Sequence, residues 1–123
     1  LARSLHVEDH FIFLGMQTNP YPYFKMADFY IHATRFEGKS IAIQEAQVLG
    51  CAIAASDCSG NREQIVSGVD GLLCPFSPEG IANAVEYLIK HPQTAESFGR
   101  AAAQKACHFE NDIHMIRDLL YSP

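Results

Sequence analysis

The chain has 123 residues, 48% hydrophobic and 19% charged, a composition typical of one globular domain with a substantial core. Nine Lys and Arg against 14 Asp and Glu give a net charge of -5, which argues against a nucleic-acid backbone as the main partner, because phosphates need clustered cations. The sequence has no run of 18 apolar residues, which is the length that a membrane-spanning helix needs. We expect residues 1–123 to form a single domain, cut at its N-terminus from a longer protein.

Two further residue types exclude common kinds of site. The cysteines are spaced too unevenly for a zinc knuckle and are too few for a disulfide scaffold, which favours reduced thiols in a cytoplasmic protein. They are Cys51, Cys58, Cys74 and Cys107. The six histidines lack ligand spacing on any predicted helix face, so no metal site is predicted.

In chain order, short apolar runs bounded by turn residues alternate with helical patterns. Buried strands are predicted at residues 10–14, 29–33, 51–56 and 72–74. A short helix follows Pro20, with Asn19 as its cap, and a second begins at Ile41 and stops at Gly50. Residues 57–61 are predicted as a polar loop before helical turns at 62–66. Three more helices are predicted at about 78–91, 92–107 and 112–121.

Strands that alternate with helices predict an α/β fold, with a Rossmann-like parallel sheet flanked by helices. A doubly wound nucleotide-binding sheet usually has about six strands. Because only four are visible, we expect one or two βα units upstream of residue 1.

The stretch 33–46 combines a strand end, a glycine turn and a helix that carries a second carboxylate. At 100° per residue, Glu45 shares one side of this helix with apolar residues, and Gln44 and Gln47 lie opposite. The apolar residues on that side are Ile41, Ala42, Ala46, Val48 and Leu49. We therefore predict that Glu45 sits inside an apolar stripe.

Ligands of an open parallel sheet bind where strands end and helices begin, and Glu37, Gly38, Lys39 and Ser40 occupy such a place. Free amides of a first helical turn favour an anion, whereas carboxylates favour the hydroxyls of a sugar diol. A ligand with both phosphate and sugar hydroxyls would satisfy the whole set. The alternative is structural: Glu45 is paired inside the domain, for example with Arg35, and Glu37 is solvated.

Glu37 and Glu45 are eight positions apart, with Gly38 after the first and Ala46 after the second. This pattern resembles the E-x7-E motif of retaining GT-B glycosyltransferases of group 1 (GT4). Further matches occur in the family's order and reach to about residue 100. They are Phe11-Ile12-Phe13-Leu14-Gly15, Ala27-Asp28, Thr34-Arg35-Phe36-Glu37-Gly38, Leu49-Gly50, Asp57 with Gly60 and Glu63, and Gly68 with Gly71-Leu72-Leu73.

In that family, such a segment is the C-terminal, donor-binding half of the GT-B fold. By this resemblance Glu37 would be the catalytic-site residue that contacts hydroxyls of the transferred sugar. Glu45, with Ile41, would hold the nucleotide ribose, and the amides of Gly38, Lys39 and Ser40 would meet the sugar and diphosphate. The family's common form E-G-F-G-L-P differs here at Lys39, Ser40 and Ala42, which leaves the donor's identity open.

The resemblance implies sugar transfer from a UDP- or GDP-linked donor to a polysaccharide or glycolipid acceptor, without a cofactor or metal. The acceptor would bind the missing N-terminal half, so the segment alone should be inactive. The full-length protein would be cytoplasmic, and it could contact the inner face of the cell membrane. Alternatives are a sugar-nucleotide epimerase or phosphorylase on the same fold, or a non-catalytic α/β binding or regulatory domain.

Overall fold

The structure, a computed structural model, describes residues 1–107 and Asp118. Apart from Asp118, the helix predicted over residues 112–121 lies outside the described residues. The elements follow one another as a 3-10 helix Glu8–His10, α1 Tyr21–Met26, β1 Phe29–His32, α2 Ile41–Val48, β2 Ala52–Ser56, α3 Ser59–Gln64, β3 Leu72–Cys74, α4 Pro78–Lys90 and α5 Pro92–Ala106.

The three strands form a parallel sheet in the order β1-β2-β3. Phe29 lies opposite Ala52, and Ala54 lies opposite Leu72. Parallel neighbours need a crossover, which α2 supplies between β1 and β2 and α3 supplies between β2 and β3. The architecture confirms the predicted α/β class, a Rossmann-like parallel sheet flanked by helices.

The central strand β2 is buried along its whole length and divides the core into two clusters. Successive side chains of a strand point to opposite faces of the sheet. Ala52 and Ala54 accordingly pack with α4 and α5, while Ile53 and Ala55 pack with α2. The small alanine side chains let the helices approach both faces closely.

Both ends of α2 follow from local chemistry. The Ser40 side chain accepts a hydrogen bond from the Ile43 N–H at 3.3 Å and caps the first turn. After Leu49 the chain enters the left-handed region at Gly50, with φ +71°, where the Gly50 N–H donates to the Gln47 carbonyl. The predicted stop at Gly50 is confirmed.

The predicted buried face of α2 is confirmed at Ala46 and is wrong for most of the helix. Ile43, Ala46 and Gln47 are the buried residues, whereas Ile41 is 68% exposed and Glu45 is half-buried. The helical-wheel argument placed Gln47 on the side opposite the apolar stripe. In the fold, its Nε2 donates to the Gln64 carbonyl at 2.8 Å, which offsets the cost of burying the amide.

The strand predicted at residues 10–14 is also wrong. These residues carry no strand pairing, and Ile12 and Phe13 are 85% and 83% exposed. Apolar character predicts burial, but a strand also needs a neighbour for its backbone groups. Among the described residues, no strand lies beside this run, and the rings of Phe11 and Phe13 stack on each other instead.

The two short helices, α1 and α3, differ in how well the sequence predicted where they begin. Asn19 acts as predicted at the start of α1, where its Oδ1 accepts from the Tyr21 N–H at 3.1 Å. The helix α3 begins three residues earlier than the predicted turns, because Ser59 and Gly60 already have helical conformation. Within the described part of the chain, no helix has the length and apolar character needed to cross a bilayer.

Candidate functional site

The predicted site residues lie at the carboxyl ends of β1 and β2. The loop 33–40 is tied to β2 through the buried Ser56, whose Oγ accepts from the Thr34 N–H at 2.9 Å and donates to the Thr34 carbonyl. A cavity of about 500 Å³ opens beside this loop. Its walls are Arg35, Phe36, Glu37, Gly38, Asp57, Cys58, Ser59 and Arg62.

Glu37 is held by a side chain of the preceding strand. Its Oε2 lies 2.9 Å from Nε2 of His32, and the two side chains are 29% and 12% exposed. The other ring nitrogen of His32, Nδ1, lies 2.9 Å from the hydroxyl of Tyr30. Glu37 is therefore not simply solvated at a loop, as the structural alternative expects, although it keeps an exposed face beside the cavity.

Glu45 is held by α1. Its Oε1 accepts a hydrogen bond from the hydroxyl of the buried Tyr21 at 2.9 Å. Burial raises the pKa of Tyr21, and the hydrogen bond to the Glu45 carboxylate raises it further, so the phenol keeps its proton. Arg35, the partner suggested for Glu45 in the structural alternative, lies over the ring of Phe76 at 5.4 Å.

The charges of both carboxylates act on the phenol of Tyr30. Burial raises the pKa of this phenol, and the negative charges of Glu45 and Glu37 raise it further. Tyr30 also packs against Phe24, with 5.1 Å between ring centroids.

Residues 38–41, between the two carboxylates, differ in exposure and in hydrogen bonding. Gly38 is exposed and has no left-handed backbone, and a Cβ built on it would meet nothing within 4 Å. Lys39 and Ile41 are exposed. The Ser40 N–H already donates to Oε1 of Gln64 at 2.7 Å. A diphosphate could use that amide only if Gln64 released it.

Gly60 sets the position of the Glu37-Gly38 backbone. It is buried on α3, and a Cβ there would overlap the carbonyl groups of both residues. The predicted match at Gly60 therefore has a steric reason, because only glycine lets the two segments approach this closely.

The far side of the cavity carries an ion pair. Nε of Arg62 lies 2.6 Å from Oδ1 of Asp57, and this hydrogen bond holds the pKa of the Asp57 carboxyl below its usual range. The same bond raises the pKa of Arg62. Among residues 1–107 and Asp118, no three His, Cys, Asp or Glu side chains are grouped as a metal site would need.

Sequence reasoning missed Tyr30 and His32, which the structure connects to Glu37. A signal was present in the strand pattern. Residues two apart on a strand share a face, and this strand ends five residues before Glu37. The hydrogen bond from Tyr21 to Glu45 lies outside what residue spacing can predict.

Residues 1–105 match the family model described as "Glycosyl transferases group 1". A Campylobacter jejuni protein named N-acetylgalactosamine-N,N'-diacetylbacillosaminyl-diphospho-undecaprenol 4-alpha-N-acetylgalactosaminyltransferase is 27% identical over 98% of this chain and 33% of its own length. The N-acetyl-alpha-D-glucosaminyl L-malate synthase of Bacillus anthracis is 28% identical over 85% of this chain and 28% of its own. The chain thus spans about a third of these relatives.

Solved structures share the fold. Anabaena HepE (Alr3699), crystallised in complex with UDP, superposes with a TM-score of 0.85 at 23% identity, over 99% of this chain and 35% of that protein. The sucrose-phosphate synthase of Thermosynechococcus elongatus also gives a TM-score of 0.85, at 21% identity over 98% of this chain and 31% of the synthase. HepE has also been solved with UDP-glucose.

Proposed function

Because the chain belongs to the group 1 glycosyl transferases, we propose that it is the donor-binding part of a retaining, GT4-type hexosyltransferase. The whole enzyme, of which this chain is one part, transfers a sugar from a nucleotide sugar to a polysaccharide or glycolipid acceptor. The observation that carries the proposal is that two carboxylates after β1 are both held by hydrogen bonds, Glu37 by His32 at the end of the strand and Glu45 by Tyr21 on the helix that follows. Two oriented carboxylates at that place suit a ligand with two sets of hydroxyl groups.

The two carboxylates divide the donor between them in this proposal. Glu37, beside the cavity, accepts hydrogen bonds from hydroxyls of the transferred sugar. Glu45, on α2 and next to Ile41, accepts from the ribose hydroxyls. The amides of Gly38 and Lys39, at the start of α2, meet the diphosphate, and Ser40 joins them when Gln64 releases its N–H.

The relatives support a UDP-linked donor, since HepE has been crystallised with UDP and with UDP-glucose. The name of the Campylobacter relative describes transfer to a sugar on a diphospho-undecaprenol lipid. We infer a sugar or lipid-linked acceptor of this kind, bound outside this chain, in a cytoplasmic enzyme whose acceptor brings it to the inner face of the membrane. The backbone amides and positive charge beside the diphosphate stabilise this leaving group when the sugar is transferred, and no metal is needed.

The test is transfer and binding by the full-length protein with UDP- and GDP-sugars. Glu37→Ala and Glu45→Ala should each lower donor affinity and turnover by at least about tenfold, as expected for the loss of hydrogen bonds to a charged group. Glu86→Ala is the matched control, because that carboxylate is exposed on α4 and pairs only with Lys90 in the same helix. Unchanged donor binding and turnover in both site variants would overturn the proposal.

A further inference from the structure

We propose that His32 is a positioning residue that fixes the orientation of the Glu37 carboxylate, with Tyr30 fixing the orientation of His32. The three side chains form one chain of hydrogen bonds, with 2.9 Å between Tyr30 Oη and His32 Nδ1 and 2.9 Å between His32 Nε2 and Glu37 Oε2. The inference rests on the proposed contact of Glu37 with the donor sugar.

The need for such a residue follows from where Glu37 lies. The residue belongs to the loop 33–40, which has no regular secondary structure, so its backbone alone does not aim the side chain. His32, by contrast, is the last residue of β1 and is paired in register with Ala55 of the buried central strand. A rigid strand therefore supplies the orientation that the loop lacks.

Proton positions in the chain follow from the donors and acceptors available. An ionised carboxylate only accepts hydrogen bonds, so Nε2 of His32 carries the proton that Glu37 receives. In a neutral imidazole, Nδ1 is then an acceptor, and the hydroxyl of Tyr30 donates to it. Burial and the nearby Glu45 and Glu37 charges raise the pKa of Tyr30, which keeps this donor protonated.

The hydrogen bond to His32 leaves Glu37 able to bind a ligand. A carboxylate offers about four lone-pair sites, of which His32 uses one. His32 is 12% exposed and Glu37 is 29% exposed, so the carboxylate is the more accessible of the two groups, and Glu37 is one of the residues that line the cavity. The remaining lone pairs can accept hydrogen bonds from vicinal hydroxyl groups of a donor sugar. Loss of the bond to His32 should therefore weaken binding of the sugar and leave binding of the nucleotide unchanged.

The ring of Tyr30 is itself fixed by packing. It lies against Phe24 of α1 at 5.1 Å, so Tyr30→Phe keeps the ring and removes only the hydroxyl. His32→Gln keeps a side-chain N–H donor near the position of Nε2, whereas His32→Leu keeps the volume and removes the donor. These variants separate positioning from packing.

The experiment compares the affinities of UDP-glucose and UDP for the full-length protein by calorimetry. His32→Leu should weaken UDP-glucose binding by about tenfold and leave UDP binding unchanged, as expected for the loss of a hydrogen bond to a charged group. His32→Gln should recover most of the loss, and Tyr30→Phe should show a smaller loss of the same selectivity. His10→Leu is the control, since that histidine is exposed and is not among the residues that line the cavity.

A double-mutant cycle distinguishes this inference from the proposed function. In a Glu37→Ala background, His32→Leu should change UDP-glucose affinity by less than about twofold, because the group that it positions is gone. Additive losses, or equal losses of UDP and UDP-glucose affinity, would overturn the positioning role. If Glu37→Ala itself leaves UDP-glucose binding unchanged, the proposed function fails first, and this inference fails with it.

Discussion

The hydroxyl of Tyr21 lies 2.9 Å from Oε1 of Glu45, and the two residues are 24 positions apart in the chain. The contact joins α1 to α2 and orients the carboxylate proposed to hold the ribose. Tyr21 is buried, and Glu45 keeps part of its surface exposed. Removal of the hydroxyl therefore affects both the stability of the domain and the direction of a ligand-binding group.

Tyr21→Phe should lower the free energy of unfolding by about 1 kcal/mol at pH 7, the usual net value of one hydrogen bond. The folded state raises the pKa of Tyr21, so the contribution is complete below pH 10, the ordinary value for tyrosine, and is lost as the pH rises through the folded pKa. Urea unfolding of both proteins from pH 7 to pH 11 measures the difference.

The matched control for this substitution is Tyr23→Phe, because Tyr23 is 39% exposed and its hydroxyl lies 3.4 Å from Oε1 of Gln17. That change should stay within about 0.5 kcal/mol. A stability difference for Tyr21→Phe that is absent at pH 7, or that grows above pH 10, would contradict the assigned bond.

Gly60→Ala should disturb the site without touching either carboxylate. The added methyl group would overlap the carbonyls of Glu37 and Gly38, so α3 and the loop must separate. We expect the unfolding temperature to fall by about 5 °C and donor binding to weaken. Ser59→Ala, at the exposed neighbour, should leave the unfolding temperature unchanged. Equal unfolding temperatures for the two variants would show that Gly60 is not needed for the approach.

An ion pair between the half-buried Lys105 and the buried Asp70 attaches α5 to the turn before β3. Nζ of Lys105 lies 2.9 Å from Oδ2 of Asp70, whose side chain is 4% exposed, and Oδ1 accepts from the Val66 N–H at 2.8 Å. Lys105→Met leaves that carboxylate buried without its cation and should cost about 2 kcal/mol of unfolding free energy. Urea midpoints of the variant and the parent protein measure the cost.

Lys90→Met provides the comparison, because Lys90 and Glu86 are 65% and 60% exposed and form an i,i+4 pair on α4. An exposed pair contributes about 0.5 kcal/mol or less. The ranking of the two lysines is the decisive result: equal urea midpoints for the two variants would contradict the structural role of Asp70.

The four free thiols should react in an order set by burial. Burial raises the pKa of Cys51 and of Cys74, and the charge of Asp57 adds to the effect at Cys74, so little thiolate forms at either position at pH 8. Cys107 is exposed and should react first with a maleimide, followed by the half-buried Cys58. Peptide mass spectrometry at timed intervals gives the order. Early modification of Cys51 would contradict its burial in the core cluster beside α2.

How far the sequence predicts the fold depends on what each pattern measures. The strands β1, β2 and β3 were predicted within one residue at each end, because short apolar runs closed by turn residues report both burial and length. The same rule failed at residues 10–14, where apolar residues lie exposed without a neighbouring strand. Hydropathy reports a tendency to be buried and carries no information about the partner.

Polar residues that bond inside the protein limit the prediction of helix faces. Gln47 and Gln64 are buried because each amide has partners: Gln47 with the Gln64 carbonyl, and Gln64 with both backbone groups of Ser40. A pattern that sorts residues by polarity places both at the surface. The helical wheel also placed Glu45 inside the apolar stripe, whereas the structure buries Ile43, Ala46 and Gln47 and leaves Glu45 half-buried, bonded to Tyr21.

The positions of the two carboxylates at the end of a strand were predictable from topology, since parallel strands collect their carboxyl ends at one edge. The side chains that hold the two carboxylates in place were not predictable. The bonds from His32 to Glu37 and from Tyr21 to Glu45 depend on side-chain rotamers and on the packing of α1. Residue spacing indicates which groups share an edge, and packing decides which of them touch.

The most direct test of the proposed division of the donor is calorimetric titration of the full-length protein with UDP and with UDP-glucose. Glu45→Gln should weaken both ligands by the same factor, about tenfold, because both contain the ribose. Glu37→Gln should weaken UDP-glucose alone, because only that ligand carries the transferred sugar. Equal losses for the two ligands in Glu37→Gln, or unchanged UDP affinity in Glu45→Gln, would contradict the assignment.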